Sequence, residues 1–163
     1  CTVMGCATSN VPGRNSAKVG GQIYVSRALG GAVKSGRHLL PTPELALGKL
    51  LVEKCSPQAM IDLSDGLDND LRRILRASEV GAIVDIDLLP LNKDCDWQQA
   101  VSDGEDYGLL IVLDKAVALT LDDILREGSH RLYRVGEITE SPALDYQQNS
   151  KSVTLEKKPF SYS

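Results

Sequence analysis

The sequence has few aromatic residues and no excess of basic ones. Phe, Trp and Tyr make up 4% of its 163 residues, and 18 Lys and Arg stand against 22 Asp and Glu. No stretch interleaves basic with aromatic side chains, as proteins that bind single-stranded nucleic acid usually do. The formal net charge of −4 offers no broad positive surface to a polyanion. Nucleic acid is therefore not an expected partner.

Long apolar runs are also missing. No run approaches the roughly 20 residues that a helix needs to cross a bilayer, and the first residues lack the basic and then apolar pattern of a signal peptide. We therefore expect a cytoplasmic protein without a membrane partner. The chain starts at Cys1 instead of Met, and the residues from Thr2 to Cys6 resemble the interior of a strand. We interpret the sequence as a part of a longer chain.

Cysteine and histidine are too scattered for a convincing zinc site. Zinc ligands usually come in close pairs, and the one near pair here, Cys1 and Cys6, has neither histidine close to it in sequence. Disulfides and a metal site remain alternatives. Reduced cysteines are favoured, because a free Cys packs as a small apolar residue. The remaining cysteines are Cys55 and Cys95, and the histidines are His38 and His130.

Apolar runs alternate with turn signals along the chain and predict strands separated by helices. A hydrophobic content of 42% is enough for one core, so a single domain is expected. The pattern predicts an α/β domain whose sheet is covered by helices on at least one face. Strands are predicted at 23–25, 59–63, 82–89, 107–113 and 132–138, and helices from Thr42 to about Cys55, from Asp65 or Gly66 onward, and after a cap at Asp114.

The strongest candidate site is the passage from a buried strand into a helix at Asp62-Leu63-Ser64-Asp65-Gly66-Leu67. In a strand Asp62 and Ser64 point to the same face, and Asp65 stands where the helix begins. Such strand ends bind ligands in α/β sheets, and a helix N-terminus attracts phosphate. Two carboxylates would repel a phosphate unless a cation lay between them, and Mg²⁺ typically takes one or two carboxylates. The alternative is structural, with Asp65 as a helix cap and Asp62 as a solvated strand end.

Two further segments are weaker candidates. The stretch Ser102-Asp103-Gly104-Glu105-Asp106-Tyr107 places three acids in a turn before a strand, and an ordinary acidic turn is the simpler interpretation of its composition. The residues from Pro12 to Gly20 form a basic, glycine-containing loop that could approach a phosphate, and a flexible surface loop is the alternative.

The order and spacing of these segments resemble those of the thiamine-monophosphate kinases. That family belongs to a wider group related to aminoimidazole ribonucleotide synthetase, which includes selenophosphate synthetase and a hydrogenase maturation factor. The resemblance covers roughly Thr2 to Leu113. The similar stretches are the loop from Arg14 to Gly20, Ile23-Tyr24-Val25, Leu29-Gly30, Met60 to Leu67, Asp70-Leu71 and Gly104-Glu105-Asp106-Tyr107.

The resemblance implies the C-terminal domain of a two-domain enzyme. Its fold would be an α/β domain with a mixed β-sheet and helices mainly on one face, like the C-terminal domain of aminoimidazole ribonucleotide synthetase. The N-terminal domain, absent from this chain, would supply further magnesium-binding aspartates and the interface of a homodimer. The intact enzyme would transfer the γ-phosphoryl group of ATP to thiamine monophosphate, giving thiamine diphosphate. Such a transfer relies on alignment and on cations, so no catalytic nucleophile or base is expected among these residues.

The resemblance also implies roles for single residues. Asp62 and Asp65 would bind magnesium, and Ser64 and Arg14 would contact the phosphates of the nucleotide. Glu105 would contact the phosphate acceptor. Near the end of the chain, in Lys158-Pro159-Phe160-Ser161-Tyr162, Phe160 would stack on the thiamine rings, and a residue of a frayed tail is the alternative.

The sequence departs from the family pattern in the loop, at Asn15, Ser16 and Gly21, in the acidic turn, and in the tail, which lacks the family's histidine. Asp103 replaces the first glycine of the family's acidic turn, and Gly108 replaces the glutamate that follows the tyrosine. The magnesium end of the site matches the family better than the acceptor end does. A sister enzyme with another acceptor is therefore one alternative, and a non-catalytic module that pairs with another protein is a second. The isolated chain is expected to fold without transferring phosphate, since most metal ligands would lie in the absent domain.

Overall fold

The fold is built on a mixed seven-stranded sheet. The computed structural model describes residues 2, 4, 11–127 and 130–156. The strands follow the spatial order β2-β4-β1-β5-β3-β6-β7. Within the described ranges β3 and β6 run parallel and the other neighbouring strands run antiparallel. The strands are β1 (Gln22–Val25), β2 (Ala59–Asp62), β3 (Gly81–Asp85), β4 (Leu109–Leu113), β5 (Tyr133–Thr139), β6 (Leu144–Gln148) and β7 (Lys151–Val153).

Helices cover both faces of this sheet. They are α1 (Ala32–Ser35), α2 (Leu45–Cys55), α3 (Leu67–Ser78), α4 (Trp97–Ser102), α5 (Lys115–Ala118) and α6 (Leu121–Glu127), with short 3₁₀ helices at Arg37–Leu39 and Ile86–Leu88. The larger core includes α3 and α4, and Ile23 and Val25 of β1 face it. Tyr24 faces the smaller core, which includes α2 and α6.

The predicted α/β fold with a mixed sheet and packed helices is confirmed. The helices divide between the two faces, with the larger core on one of them. The reason lies in the interior strand β4, whose five residues are all apolar and in large part buried. A strand that is apolar on both faces needs cover on both sides.

Two of the element boundaries that differ from the sequence prediction have a local cause. The helix expected from Thr42 begins at Leu45, because Arg27 binds the carbonyl of Thr42 and the carboxylate of Glu44 and holds this approach outside the helix. The strand expected over 82–89 ends at Asp85, whose side chain accepts a hydrogen bond from the N–H of Asp87 and caps a 3₁₀ turn.

Helix α4 lies in a stretch to which sequence patterns assigned no element. Its start is a reciprocal capping box. Asp96 Oδ1 accepts from the N–H of Gln99 over 2.8 Å, and Gln99 Oε1 accepts from the N–H of Asp96 over 3.1 Å. The spacing of these two residues was the sequence signal for the helix start.

Cys55 and Cys95 are both free thiols. Cys55 packs in the smaller core, as expected of a cysteine that serves as a small apolar residue. Cys1, Cys6 and most of the strand predicted at 2–6 lie outside the described residues. Among the helices that are described, none is long and apolar enough to cross a membrane.

Candidate functional site

The two acidic segments found in the sequence lie side by side at one end of the sheet. The N–H of Leu63 donates to the carbonyl of Gly108, and the N–H of Tyr107 donates to the carbonyl of Leu63, each over 2.8 Å. One step further, the N–H of Glu105 donates to the carbonyl of Ser64 over 2.8 Å. These bonds extend the β2–β4 ladder beyond its last strand pair, Asp62 with Leu109. The segments 62–65 and 105–108 therefore form one surface.

Gly66 makes this close approach feasible. Its backbone has φ 89° and ψ 156°, a conformation that residues other than glycine rarely adopt. A Cβ on this residue would lie 2.7 Å from the carbonyl oxygen of Asp103 and 3.2 Å from the carbonyl carbon of Ser102. The glycine of the strand-to-helix motif is thus required by contact with the second acidic segment.

Asp65 is held by two residues of α3 and does not cap that helix. The N-cap position is Gly66, which makes no side-chain hydrogen bond. The carboxylate of Asp65 pairs through Oδ2 with Nη2 of Arg73. The N–H of Asp65 donates to Oδ2 of Asp70 over 3.0 Å, and Nη1 of Arg73 lies 2.5 Å from Oδ1 of Asp70. The backbone and the side chain of Asp65 are therefore both positioned.

Three carboxylates accumulate at this strand end. Asp70 is fully buried, and burial raises its pKa from 3.8 to about 6, while the N–H of Asp65 and the charge of Arg73 act in the opposite direction. The negative charges of Asp65 and Asp62 raise the pKa of Asp70 further. The site thus has an excess of negative charge that Arg73 neutralises in part.

Asp62 is the exposed member of the group. Its side chain makes no hydrogen bond or ion pair to a described residue, and the neighbouring Ser64 is partly exposed. Within the described ranges, no group of three or more His, Cys, Asp or Glu side chains could hold a metal ion. Asp62 and Asp65 still fit magnesium as a partial donor set, because that ion commonly takes one or two protein carboxylates and fills its remaining positions with water and phosphate oxygens.

The acidic turn is anchored by Asp106, a residue for which sequence reasoning proposed no role. Its side chain is 2% exposed. Oδ2 of Asp106 accepts from the N–H of Gly30 over 2.8 Å, and Oδ1 accepts from Nη2 of Arg37 over 3.0 Å. Burial raises the pKa of Asp106 to about 6, and the contacts with Gly30 and Arg37 oppose that rise. The glycine pair after β1 was the only sequence signal for this anchor, and it does not identify its partner.

The residues on either side of Asp106 have left-handed backbones. Glu105 has φ 69° and Tyr107 has φ 52°, values that are uncommon for residues with side chains. The hydroxyl of Tyr107 pairs with the carboxylate of Glu105. The turn therefore presents Glu105 in a defined orientation, since its backbone and its carboxylate are both constrained.

The two departures from the family pattern in the acidic turn have structural partners of their own. Oδ2 of Asp103 accepts from the N–H of Gly31 over 3.1 Å. A Cβ on Gly108 would lie 2.8 Å from Cγ of Arg27, whose guanidinium pairs with Glu44 at 2.5 Å. The side chain of Arg27 therefore occupies the space beside residue 108.

Arg14 is positioned by two elements, because the carbonyl of the preceding Gly13 accepts from the N–H of Met60 in β2 over 3.1 Å and Arg14 itself contacts α3. Its carbonyl accepts from the hydroxyl of Ser78, at the C-terminal end of α3, over 2.9 Å. Asp65 precedes the opposite end of that helix, whose 12 residues span about 18 Å at 1.5 Å per residue. The structure thus brings Asp62, Ser64, Asp65 and Glu105 together and leaves the backbone of Arg14 at a distance from Asp65. Phe160 lies outside the described residues.

The chain resembles known proteins in family, in sequence and in fold. The family model of the AIR synthase related protein, C-terminal domain, matches residues 3–147. The thiamine-monophosphate kinase of Rhodopirellula baltica is 36% identical over 107 residues, which are 60% of this chain and 34% of that protein. The crystal structure of thiamine-monophosphate kinase from Stenotrophomonas maltophilia has a TM-score of 0.74 at 26% identity, covering 87% of this chain and 54% of that chain.

A further solved structure, AaThiL complexed with AMPPCP and TMP, has a TM-score of 0.71 at 22% identity and covers 91% of this chain and 53% of that chain. At this identity the likeness concerns the fold. The chain thus spans between about a third and about half of the length of these proteins.

Proposed function

The chain belongs to the family of AIR synthase related protein C-terminal domains, and from this membership we propose that it is part of an ATP- and magnesium-dependent kinase. The proposed reaction is transfer of the γ-phosphoryl group of ATP to thiamine monophosphate, giving thiamine diphosphate. The observation that carries the proposal is the backbone pairing of segment 62–65 with segment 105–108, which joins the two acidic motifs on one surface. Support also comes from the relatives, which are named thiamine-monophosphate kinases, and from AaThiL, which was solved with AMPPCP, an ATP analogue, and TMP.

The proposed roles of the residues follow from exposure and charge. Asp62 and Asp65 would hold magnesium, and its charge would offset the negative charge of the phosphates during transfer. Ser64 would donate its hydroxyl to a phosphate oxygen. Glu105, with its carboxylate directed by Tyr107, would bind the acceptor. Arg14 would reach the phosphates only through its side chain, since its backbone lies at the far end of α3.

The proposal includes an N-terminal domain that this chain does not contain. In keeping with the family resemblance, further magnesium-binding aspartates would come from that domain, which would also form a homodimer. The intact enzyme would work in the cytoplasm. We expect the 163-residue chain to fold and to form no thiamine diphosphate with ATP and magnesium. Product formation by the purified chain would contradict this division of the site.

The decisive experiment replaces Asp62 in the full-length enzyme. Asp62→Asn keeps the shape of the side chain and removes the charge that would hold the cation. Loss of such charge stabilisation is worth several kcal/mol, so kcat is expected to fall by roughly a hundredfold, with weaker apparent magnesium affinity and an unchanged thermal melt. Asp145→Asn is the matched control, because Asp145 is also an exposed acid on a strand. Equal kcat for both variants at limiting magnesium would remove Asp62 from the site.

A second candidate is a sister enzyme that uses the same magnesium motif on another acceptor. The observation in its favour is the space beside Gly108, which the side chain of Arg27 occupies. A panel of phosphate acceptors, tested with the full-length enzyme and labelled ATP, separates the two candidates. Transfer to a different acceptor and none to thiamine monophosphate would favour the sister enzyme.

A further inference from the structure

Arg73 occupies a position next to the carboxylate that is proposed to bind magnesium. Its Nη2 pairs with Oδ2 of Asp65, and its Nη1 lies 2.5 Å from Oδ1 of Asp70. Oδ2 of Asp70 accepts from the N–H of Asp65 over 3.0 Å, which closes a ring of three contacts. One oxygen of Asp65 is therefore in contact with a cation that belongs to the protein itself.

The two partners of Arg73 differ in burial. The side chain of Asp70 is 0% exposed and that of Asp65 is 13% exposed, while that of Arg73 is 42% exposed. Asp70 requires its counter-charge because an unpaired charge is costly in a buried place. Asp65 lies nearer to solvent and can exchange one cation for another. The guanidinium can thus release Asp65 and remain bound to Asp70.

We propose that Arg73 is a tethered counter-ion that competes with divalent cations for Asp65. This inference rests on the proposed function, since it takes Asp62 and Asp65 as the metal ligands. By neutralising Asp65, Arg73 lowers the affinity of the strand end for a free divalent cation. A nucleotide would change this balance, because its phosphate oxygens add ligands for the cation and also accept the released Nη2 of Arg73. The site therefore favours a metal–nucleotide complex over the free metal ion.

The test measures Mn²⁺ binding to the full-length enzyme by electron paramagnetic resonance, with Mn²⁺ as the probe for magnesium. Arg73→Gln removes the competing charge and is expected to tighten Mn²⁺ binding by about fivefold, since an ion pair that is partly exposed is worth at most about 1 kcal/mol. Arg73→Lys keeps the charge and should bind Mn²⁺ as the unchanged enzyme does. Arg76→Gln is the matched control, because Arg76 is exposed on the same helix and makes no ion pair to a described residue. It should alter the affinity by less than about twofold, as charges at that distance are screened by water.

The opposite sign of effect would overturn the inference. If Arg73 only orients Asp65, Arg73→Gln weakens Mn²⁺ binding or leaves it unchanged. Asp62→Asn separates the failure of this inference from failure of the metal site. If Asp62→Asn binds Mn²⁺ more weakly and Arg73→Gln does not bind it more tightly, the metal site is supported and only the proposed role of Arg73 is contradicted. No Mn²⁺ binding by any of these full-length proteins contradicts the metal site and the inference together.

A second measurement on the unchanged enzyme applies if Arg73→Gln does not fold. Magnesium is titrated while the guanidinium resonances of Arg73 are followed by nuclear magnetic resonance, with those of Arg76 as the reference. The signal of Arg73 should shift as Asp65 exchanges its partner, and the signal of Arg76 should stay in place. Shifts of the backbone signals around Asp62 without any shift of Arg73 would overturn the inference.

Discussion

A Cβ on Gly66 would lie 2.7 Å from the carbonyl oxygen of Asp103. This distance is shorter than a carbon–oxygen contact allows, so the two acidic segments can meet only if residue 66 has no side chain. The contact involves backbone on the Asp103 side, and a change of rotamer there cannot relieve it. The surface that combines Asp62, Asp65 and Glu105 depends on this single glycine.

Gly66→Ala is therefore expected to lower the free energy of unfolding by about 2 to 4 kcal/mol, from backbone strain at positive φ together with the close contact. Urea unfolding of the chain measures this loss. Gly48→Ala is the control, because Gly48 lies inside α2 and a Cβ there would meet only Cδ1 of Leu109, at 3.9 Å. It should leave the stability unchanged or raise it by up to about 1 kcal/mol. A Gly66→Ala chain as stable as the original would show that the two segments separate easily.

Asp106 is expected to make the folded chain less stable as the pH rises from about 4 to about 6. Its pKa is raised from 3.8 to about 6 in the folded chain, so the folded state holds the proton more tightly than the unfolded state does. The stabilising contribution is complete below the unfolded pKa and is lost as the pH rises through the folded pKa. The loss is on the order of 2 kcal/mol.

Asp106→Asn cannot titrate and should remove this part of the pH dependence. The measurement is the free energy of unfolding in urea at several pH values between 4 and 7. The difference between the original chain and Asp106→Asn isolates the effect, because Asp70, whose pKa is also raised to about 6, titrates in both. The exposed Asp145→Asn should give a curve parallel to that of the original chain. A constant difference for Asp106→Asn across this range would contradict the prediction.

Tyr146 ties strand β6 to helix α3 through a buried hydrogen bond. Its hydroxyl donates to Oδ1 of Asp68 over 2.8 Å, and the same carboxylate accepts two hydrogen bonds from Arg72. Burial is the main cause that raises the pKa of Tyr146, so the hydroxyl stays protonated and keeps donating at neutral pH. Tyr146→Phe removes one of three donors to a carboxylate that is 2% exposed.

The expected loss for Tyr146→Phe is about 1 to 2 kcal/mol in the free energy of unfolding. Fluorescence of Trp97 is a suitable signal, because it is the one tryptophan of the sequence and its ring centre lies 5.9 Å from that of Tyr146. Tyr133→Phe is the control, since the hydroxyl of Tyr133 makes no hydrogen bond to a described residue, and the change should cost less than about 0.5 kcal/mol. Equal losses for both variants would show that the bond to Asp68 contributes nothing specific.

Sequence patterns located the strand-to-helix passage correctly. The short apolar run before Asp62 and the helical spacing after Gly66 depend on local periodicity, and both elements occur as predicted. The resemblance to a kinase family also selected the acidic turn. Neither source identified Arg73 as the partner of Asp65, because an arginine eight residues further along a helix has many competing partners.

The periodicity of apolar residues along the chain was sufficient to predict strands β1 to β5, helices α2 and α3, and helical structure after Asp114. These depend on neighbours a few residues apart, which a single sequence displays. The contacts that make a site of the acidic motifs join distant segments. Gly30 meets Asp106 across 76 positions, and β4 lies next to β2 with the whole of α3 and β3 between them in the chain. Such contacts depend on the order of strands in the sheet and on which backbones approach closely enough to exclude a side chain, so packing in three dimensions selected the partner of each carboxylate.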